Sequence, residues 1–215
     1  MFVNHICATS ENLPPFGDSL CEYVTAANGV FVRARRPGLG AMLPVCQNRG
    51  AEIRGLAKVV PYVHLDGGRI PVCATAQALD WMRQAAPLEL LTWVKWETAG
   101  YYAFLPEQTT TANRCRPTNP FDAQGQNALM DFHSHGSFPP FFSTTDDLDE
   151  KSGFRLFAVA GNFQAYAQPV VLARVGIYGH FWSIPPAWVM ELPDGIEAPP
   201  DEDILERSEE WQLCN

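Results

Sequence analysis

The chain has 215 residues, of which 47% are hydrophobic, 12% aromatic and 18% charged, with 18 prolines. That is enough to bury a core without metal or disulfides, as one large domain or a catalytic domain with a smaller partner, and the prolines argue against long helices. Of the net charge of −9, residues 191–215 carry nine acidic groups against one arginine, so the remainder is nearly neutral and lacks the clustered Lys and Arg of a nucleic-acid binder.

In chain order, the opening MFVNHICATSENLPPF has no basic segment followed by an apolar run, and no stretch of 18 apolar residues occurs. No secretory leader or membrane span is therefore expected, and the expected location is cytoplasmic. Through residue 74, the runs GVFVRA, RGLAKVVPYVHL and RIPVCA are cut by Pro and Gly, which predicts a small β-rich N-terminal region of short strands. Arg33, Arg35 and Arg36 read as a solvated strand face. The cysteines, Cys7, Cys21, Cys46, Cys73, Cys115 and Cys214, form no CxxC and read as small buried hydrophobes without assigned chemistry.

From residue 75 the pattern becomes helical: Ala78, Leu79, Met82, Ala85 and Ala86 share a face, Thr75 is placed as cap and Pro87 as terminator, giving a helix over 76–86. ELLTWVKW and YYAFLP, separated by residues 97–100, predict a hairpin, and the polar QTTTANRCRPTNPFDAQGQ predicts a loop. NALMDF predicts a strand leading into His133. Ser143, three residues before Asp146, has the spacing of a helix capping box. Strands are expected again at FRLFAVAG, PVVLARVGIY and FWSI, and the acidic tail after Pro193 is expected to be mobile.

Residues 133–146 read HSHGSFPPFFSTTD. Two histidines at i and i+2 on a strand face the same way and can reach one metal ion. An aspartate from the first turn of the next helix can complete three ligands and leave a fourth position for water, and imidazole with carboxylate suits zinc without excluding other divalent ions. The plainer reading is a capped helix that happens to follow two histidines.

The full string, His-x-His, seven residues, then Ser-x-x-Asp, resembles the JAMM motif of the JAB/MPN metalloproteases. The resemblance implies His133, His135 and Asp146 as zinc ligands, Ser143 as stabiliser of the tetrahedral intermediate, and an upstream glutamate as general base. Glu89, in AAPLELL after the predicted helix, fits that glutamate better than Glu97 in the hairpin turn or Glu107 in the loop. It departs from the family in being followed by Leu90 and Leu91. The implied fold is α/β (α+β), a curved mixed β-sheet flanked by helices over residues 75–190, between the β-rich region at 1–74 and the acidic tail at 191–215. Over the whole length, NGVFVRA, RGL, Pro-x-Glu and HSHGSFPPFFSTTDDLDE followed by GFRLFAVAG are similar to the PRTRC system protein A family. That likeness implies a ubiquitin-like protein substrate and a ThiF/E1-like enzyme of the same cassette as partners.

Competing readings of the string fail on other residues. A metal-dependent amidohydrolase needs most of a barrel after its His-x-His. A zinc deaminase needs Pro-Cys-x-x-Cys, and a cupin needs an acidic ligand where Phe138 and Pro139 stand. A JAB-fold scaffold that keeps zinc structurally, without turnover, remains the alternative to an enzyme. His64 and His180 read as satisfied or exposed histidines. Asp147, Asp149 and Glu150 read as favourable charge at a helix N-terminus. Phe138, Phe141 and Phe142 are left open between a substrate groove and core.

Overall fold

A computed structural model describes residues 2–48, 50–164 and 167–199. It is a mixed α+β structure with two large sheets, a small ribbon and few helices. The N-terminal sheet runs in the order β1 (Val3–Cys7), β2 (Cys21–Ala26), β3 (Gly29–Arg36), β4 (Leu39–Gln47), β5 (Tyr62–Leu65), antiparallel except for the parallel β1–β2 pair. A β-rich start was expected, but RGLAKVV lies outside the strands and RIPVCA runs into a helix.

Helix α1 spans Val72–Ala85, one turn earlier than predicted, with Pro71 rather than Thr75 at its N-cap. Thr75 is buried inside the first turn, where its hydroxyl donates to the carbonyls of Val72 (3.1 Å) and Glu191 (2.5 Å). Ala74, Ala78, Leu79 and Met82 form the buried stripe. Pro87, with no N–H to donate, follows the end of the helix.

The second sheet adds β6 (Leu91–Glu97), β7 (Gly100–Phe104), β10 (Met130–Ser134), β11 (Phe154–Gly161), β12 (Val170–Ile177) and β13 (His180–Ile184) in the order β13-β12-β11-β10-β6-β7. Only β10 and β11 run parallel. The predicted hairpin and the four strands around the motif are all present. The segment expected to be a loop instead forms the antiparallel ribbon β8 (Gln108–Thr111) and β9 (Arg114–Pro117), then a short helix α2 (Ala123–Gln126). Its residues are polar and gave no alternating apolar signal; the Gln108 side chain instead ties the ribbon to the backbone of Leu91 in β6.

α1 lies against β6, β7 and β10. The main core is shared between the sheets: Val32 and Leu39 of the first sheet lie in one cluster with Phe132, Ala158 and Val175 of the second, and the Trp182 indole donates to the Pro44 carbonyl at 2.8 Å. A second cluster holds Val24, Phe31, Met42 and Val59.

Two expectations about charge and sulfur are corrected. Arg33 is buried and pairs at 2.6 Å with Glu22, directly opposite in the β2–β3 register. Arg36 donates to the carbonyls of Phe154 and Gln126, and Arg35 is the exposed member of the three. Of the cysteines, Cys21 is buried, but Cys7 and Cys73 are exposed, and Cys46 is disulfide-bonded. The first part of the acidic tail is docked, since Leu192 and Ile196 pack on the core and the Glu197 carbonyl accepts from Val171 at 2.9 Å. Residues 200–215 of the expected mobile tail lie outside the described residues. No helix among the described residues is long and apolar enough to cross a membrane.

Candidate metal centre

β10 carries the first histidine to its C-terminal end. His133 and Ser134 close the strand and His135 follows at once. Period-2 alternation turns both imidazoles to one face, while Ser134, on the other, accepts from the Leu90 N–H at 3.0 Å and donates its own N–H to the Leu90 carbonyl at 2.9 Å. These two bonds fasten the segment holding Glu89 to the strand holding the histidines. The chain then turns at Gly136, whose φ of +54° and position 2.3 Å (Cβ equivalent) from the Pro87 carbonyl oxygen admit no side chain.

After the loop, helix α3 (Thr144–Glu150) begins at Ser143. The predicted capping box is formed: the Ser143 hydroxyl accepts from the Asp146 N–H (3.2 Å), and Asp146 Oδ2 accepts from the Ser143 N–H and Oγ–H (both 2.7 Å). With Oδ2 occupied, Oδ1 is the oxygen turned towards His133, 3.7 Å from Nε2.

The Nε2 atoms of His133 and His135 lie 3.3 Å apart, and one ligand atom from each of His133, His135 and Asp146 falls within 4.8 Å of the others. Ligand bonds of about 2.0–2.1 Å at tetrahedral angles put donor atoms roughly 3.3 Å apart, so the histidine pair already has the spacing zinc requires and the aspartate is slightly open. The Pro139 carbonyl lies 3.3 Å from His135 Nδ1, and a proton held there leaves Nε2 with a free lone pair. Burial pushes His133 down to about 4, against the opposing pull of Asp146, and burial lowers His135 as well. Both rings are thus neutral at pH 7, as metal ligands must be. The donor set fits a zinc ion. Among the described residues no other trio of His, Cys, Asp or Glu converges in this way.

Glu89 lies just before β6, its N–H donating to the Thr111 carbonyl of the β8–β9 ribbon at 2.8 Å. Burial and then the nearby negative charge of Asp146 push its carboxyl up to about 7. It lines the same cleft, of about 1410 Å³, as His133, His135, Ser143 and Asp146. Neither alternative base lines that cleft. Glu97, at the hairpin end of β6, accepts from the Tyr102 hydroxyl, and Glu107 is exposed before β8.

The setting of Cys115 and the role of Arg174 were not read from the sequence, whereas the phenylalanines were left open between groove and core. Burial, and then the charges of Glu89 and Asp146, push the thiol of Cys115 on β9 up to about 12 and keep it protonated. Phe141 stands edge-on to His135 at 4.6 Å. Phe138 and Phe141 line the cleft, whereas Phe142 stacks on the guanidinium of Arg174 at 4.0 Å. Asp147 lies in the first turn of α3 as expected, but Glu150 is the last residue of the helix, not at its N-terminus, and both pair with Arg174. The signal for this was a lone arginine inside the apolar run PVVLARVGIY. His180 meets the Tyr23 hydroxyl at 2.7 Å and His64 is exposed near Asp66, neither at the cleft.

A search of the curated proteins finds no match. Residues 71–176 match the family of prokaryotic homologs of the JAB domain. That span opens at the N-cap of α1, closes within β12 and contains Glu89 and the whole donor cluster. This stretch, just under half of the chain, is therefore similar to a prokaryotic JAB domain, and the five-stranded N-terminal sheet precedes it.

Proposed function

We propose that the protein is a zinc-dependent hydrolase that cleaves a peptide or isopeptide bond at the C-terminus of a ubiquitin-like protein, with His133, His135 and Asp146 holding one zinc ion per chain. The observation that carries this reading is the sharing of one cleft by three convergent donors and a half-buried carboxyl, Glu89, raised to about 7. Bound zinc supplies a Lewis acid that polarises a carbonyl and acidifies water.

Glu89 takes the proton of the attacking water and delivers it to the leaving amine, and a carboxyl titrating near neutrality is suited to both transfers. The Ser143 hydroxyl lines the cleft and donates to Asp146 Oδ2; turning that proton into the cleft makes it a donor to the developing oxyanion. The cleft exceeds the roughly 300–1,000 Å³ of small-molecule pockets. Its size, and aromatic lining from Trp93, Phe138 and Phe141, suit an extended polypeptide tail added as a strand. The likeness to PRTRC system protein A supports a ubiquitin-like substrate and a ThiF/E1-like enzyme as partners.

The second reading, a JAB-fold scaffold that keeps zinc without turnover, draws on one observation: the Ser143 hydroxyl is already engaged with Asp146. A ubiquitin-like protein with a C-terminal extension separates the two. The hydrolase shortens it in a chelator-sensitive way, and Glu89→Gln retains zinc while losing at least about a hundredfold in rate. Zinc-loaded protein that leaves every such fusion intact is the scaffold.

A further inference from the structure

Helix α3 supplies Asp146 yet buries none of its seven residues, so apolar packing does not hold it in place. Beyond its own capping box and an exposed pair between Asp149 and Arg116 of β9 at 3.7 Å, its buried anchor is Arg174. This side chain is 6% exposed on β12 and reaches α3 at both ends. Nη1 donates to Asp147 Oδ1 at 2.6 Å, while Nε and Nη2 donate to Glu150 Oε2 at 2.9 and 2.5 Å. The guanidinium is stacked between Phe142, immediately before the helix cap, at 4.0 Å and Phe181 of β13 at 4.2 Å. In the sheet register Arg174 stands opposite Phe157, which stands opposite Asp131, two residues before His133. The third donor is thereby tied to the sheet that carries the first two.

We infer that Arg174 is a positioning residue that locks α3 onto the sheet and so sets the affinity of the His133, His135 and Asp146 site for its metal, an inference that rests on the metal reading above. The planar fork is needed because one side chain must serve two carboxylates while lying flat between two rings, which a lysine ammonium cannot do. A simple electrostatic role has the opposite sign. Arg174 is a cation near a site for a dication, and its removal leaves Asp147 and Glu150 uncompensated, so charge alone would make Arg174→Met bind zinc more tightly and leave Arg174→Lys unchanged.

The test measures zinc affinity, by competition with a chromophoric chelator, for the full-length native chain, Arg174→Lys and Arg174→Met, together with amide hydrogen exchange over residues 144–150 in the metal-free proteins. Positioning predicts zinc binding weakened by about 10- to 100-fold in Arg174→Met and by less in Arg174→Lys, with faster exchange in α3 while β10–β12 keep their protection. Native exchange in α3 with unchanged or tighter zinc binding overturns it. If Arg174→Met does not fold, Arg174→Lys decides alone by the same two readouts. A native chain that binds no zinc sinks the metal reading instead, and slow, native-like exchange of α3 in Arg174→Lys then overturns the clamp as well.

Discussion

Glu89 shows how a single residue's chemistry is set by what folding places beside it. In the metal-free protein its carboxyl titrates at about 7, against an ordinary value of 4.5, because burial and Asp146 both disfavour the charge. A carboxyl raised in the folded state makes folding bind a proton, so its contribution is present below pH 4.5 and is lost as pH rises towards 7. His133 has the reverse sign, its contribution being present above pH 6.5 and lost as pH falls towards 4. The expected outcome is that Glu89→Gln, compared with the native metal-free chain, gains in melting temperature as pH rises from 5 to 8; a constant offset over that range would show that Glu89 is not raised. The motif itself was legible in the sequence because its members are joined by short fixed spacings. Arg33 was misread because its partner Glu22 becomes its neighbour only through the β2–β3 register, and Arg174 was missed because its partners come from helix α3, well earlier in the chain.

At the scale of elements, strands with a buried face were readable from their apolar runs, and the capping box fixed the start of α3 correctly. The β8–β9 ribbon was not readable. It is polar and held partly by bonds such as that from the Glu89 N–H to Thr111, which no local pattern encodes. The beginning of α1 was misplaced because Thr75 spends its hydroxyl on Val72 and Glu191 instead of on a cap. The turn after His135 depends on Gly136, where positive φ and contact with the Pro87 carbonyl oxygen leave no room for a methyl group. Gly136→Ala should therefore lower stability by about 1–3 kcal/mol in denaturant unfolding, the scale of backbone strain, and weaken metal binding by displacing His135. A loss within about 0.5 kcal/mol, ordinary for a surface change, would mean the turn can relax without cost.

For the molecule as a whole, a start rich in short strands followed by a helix was expected from the residue pattern, but the shared core was not. Val32 and Leu39 pack into the cluster that contains Phe132 and Val175, and Trp182 reaches back to Pro44. The N-terminal sheet thus supports the same sheet whose strand β10 presents the histidines. These elements meet at the proposed zinc site, so the most direct test is the zinc content of the purified chain by elemental analysis, native against the double variant His133→Ala, His135→Ala. Close to one zinc per chain in the native protein, and almost none in a double variant that still folds, is the predicted result; equal zinc in both would contradict the assignment of these donors.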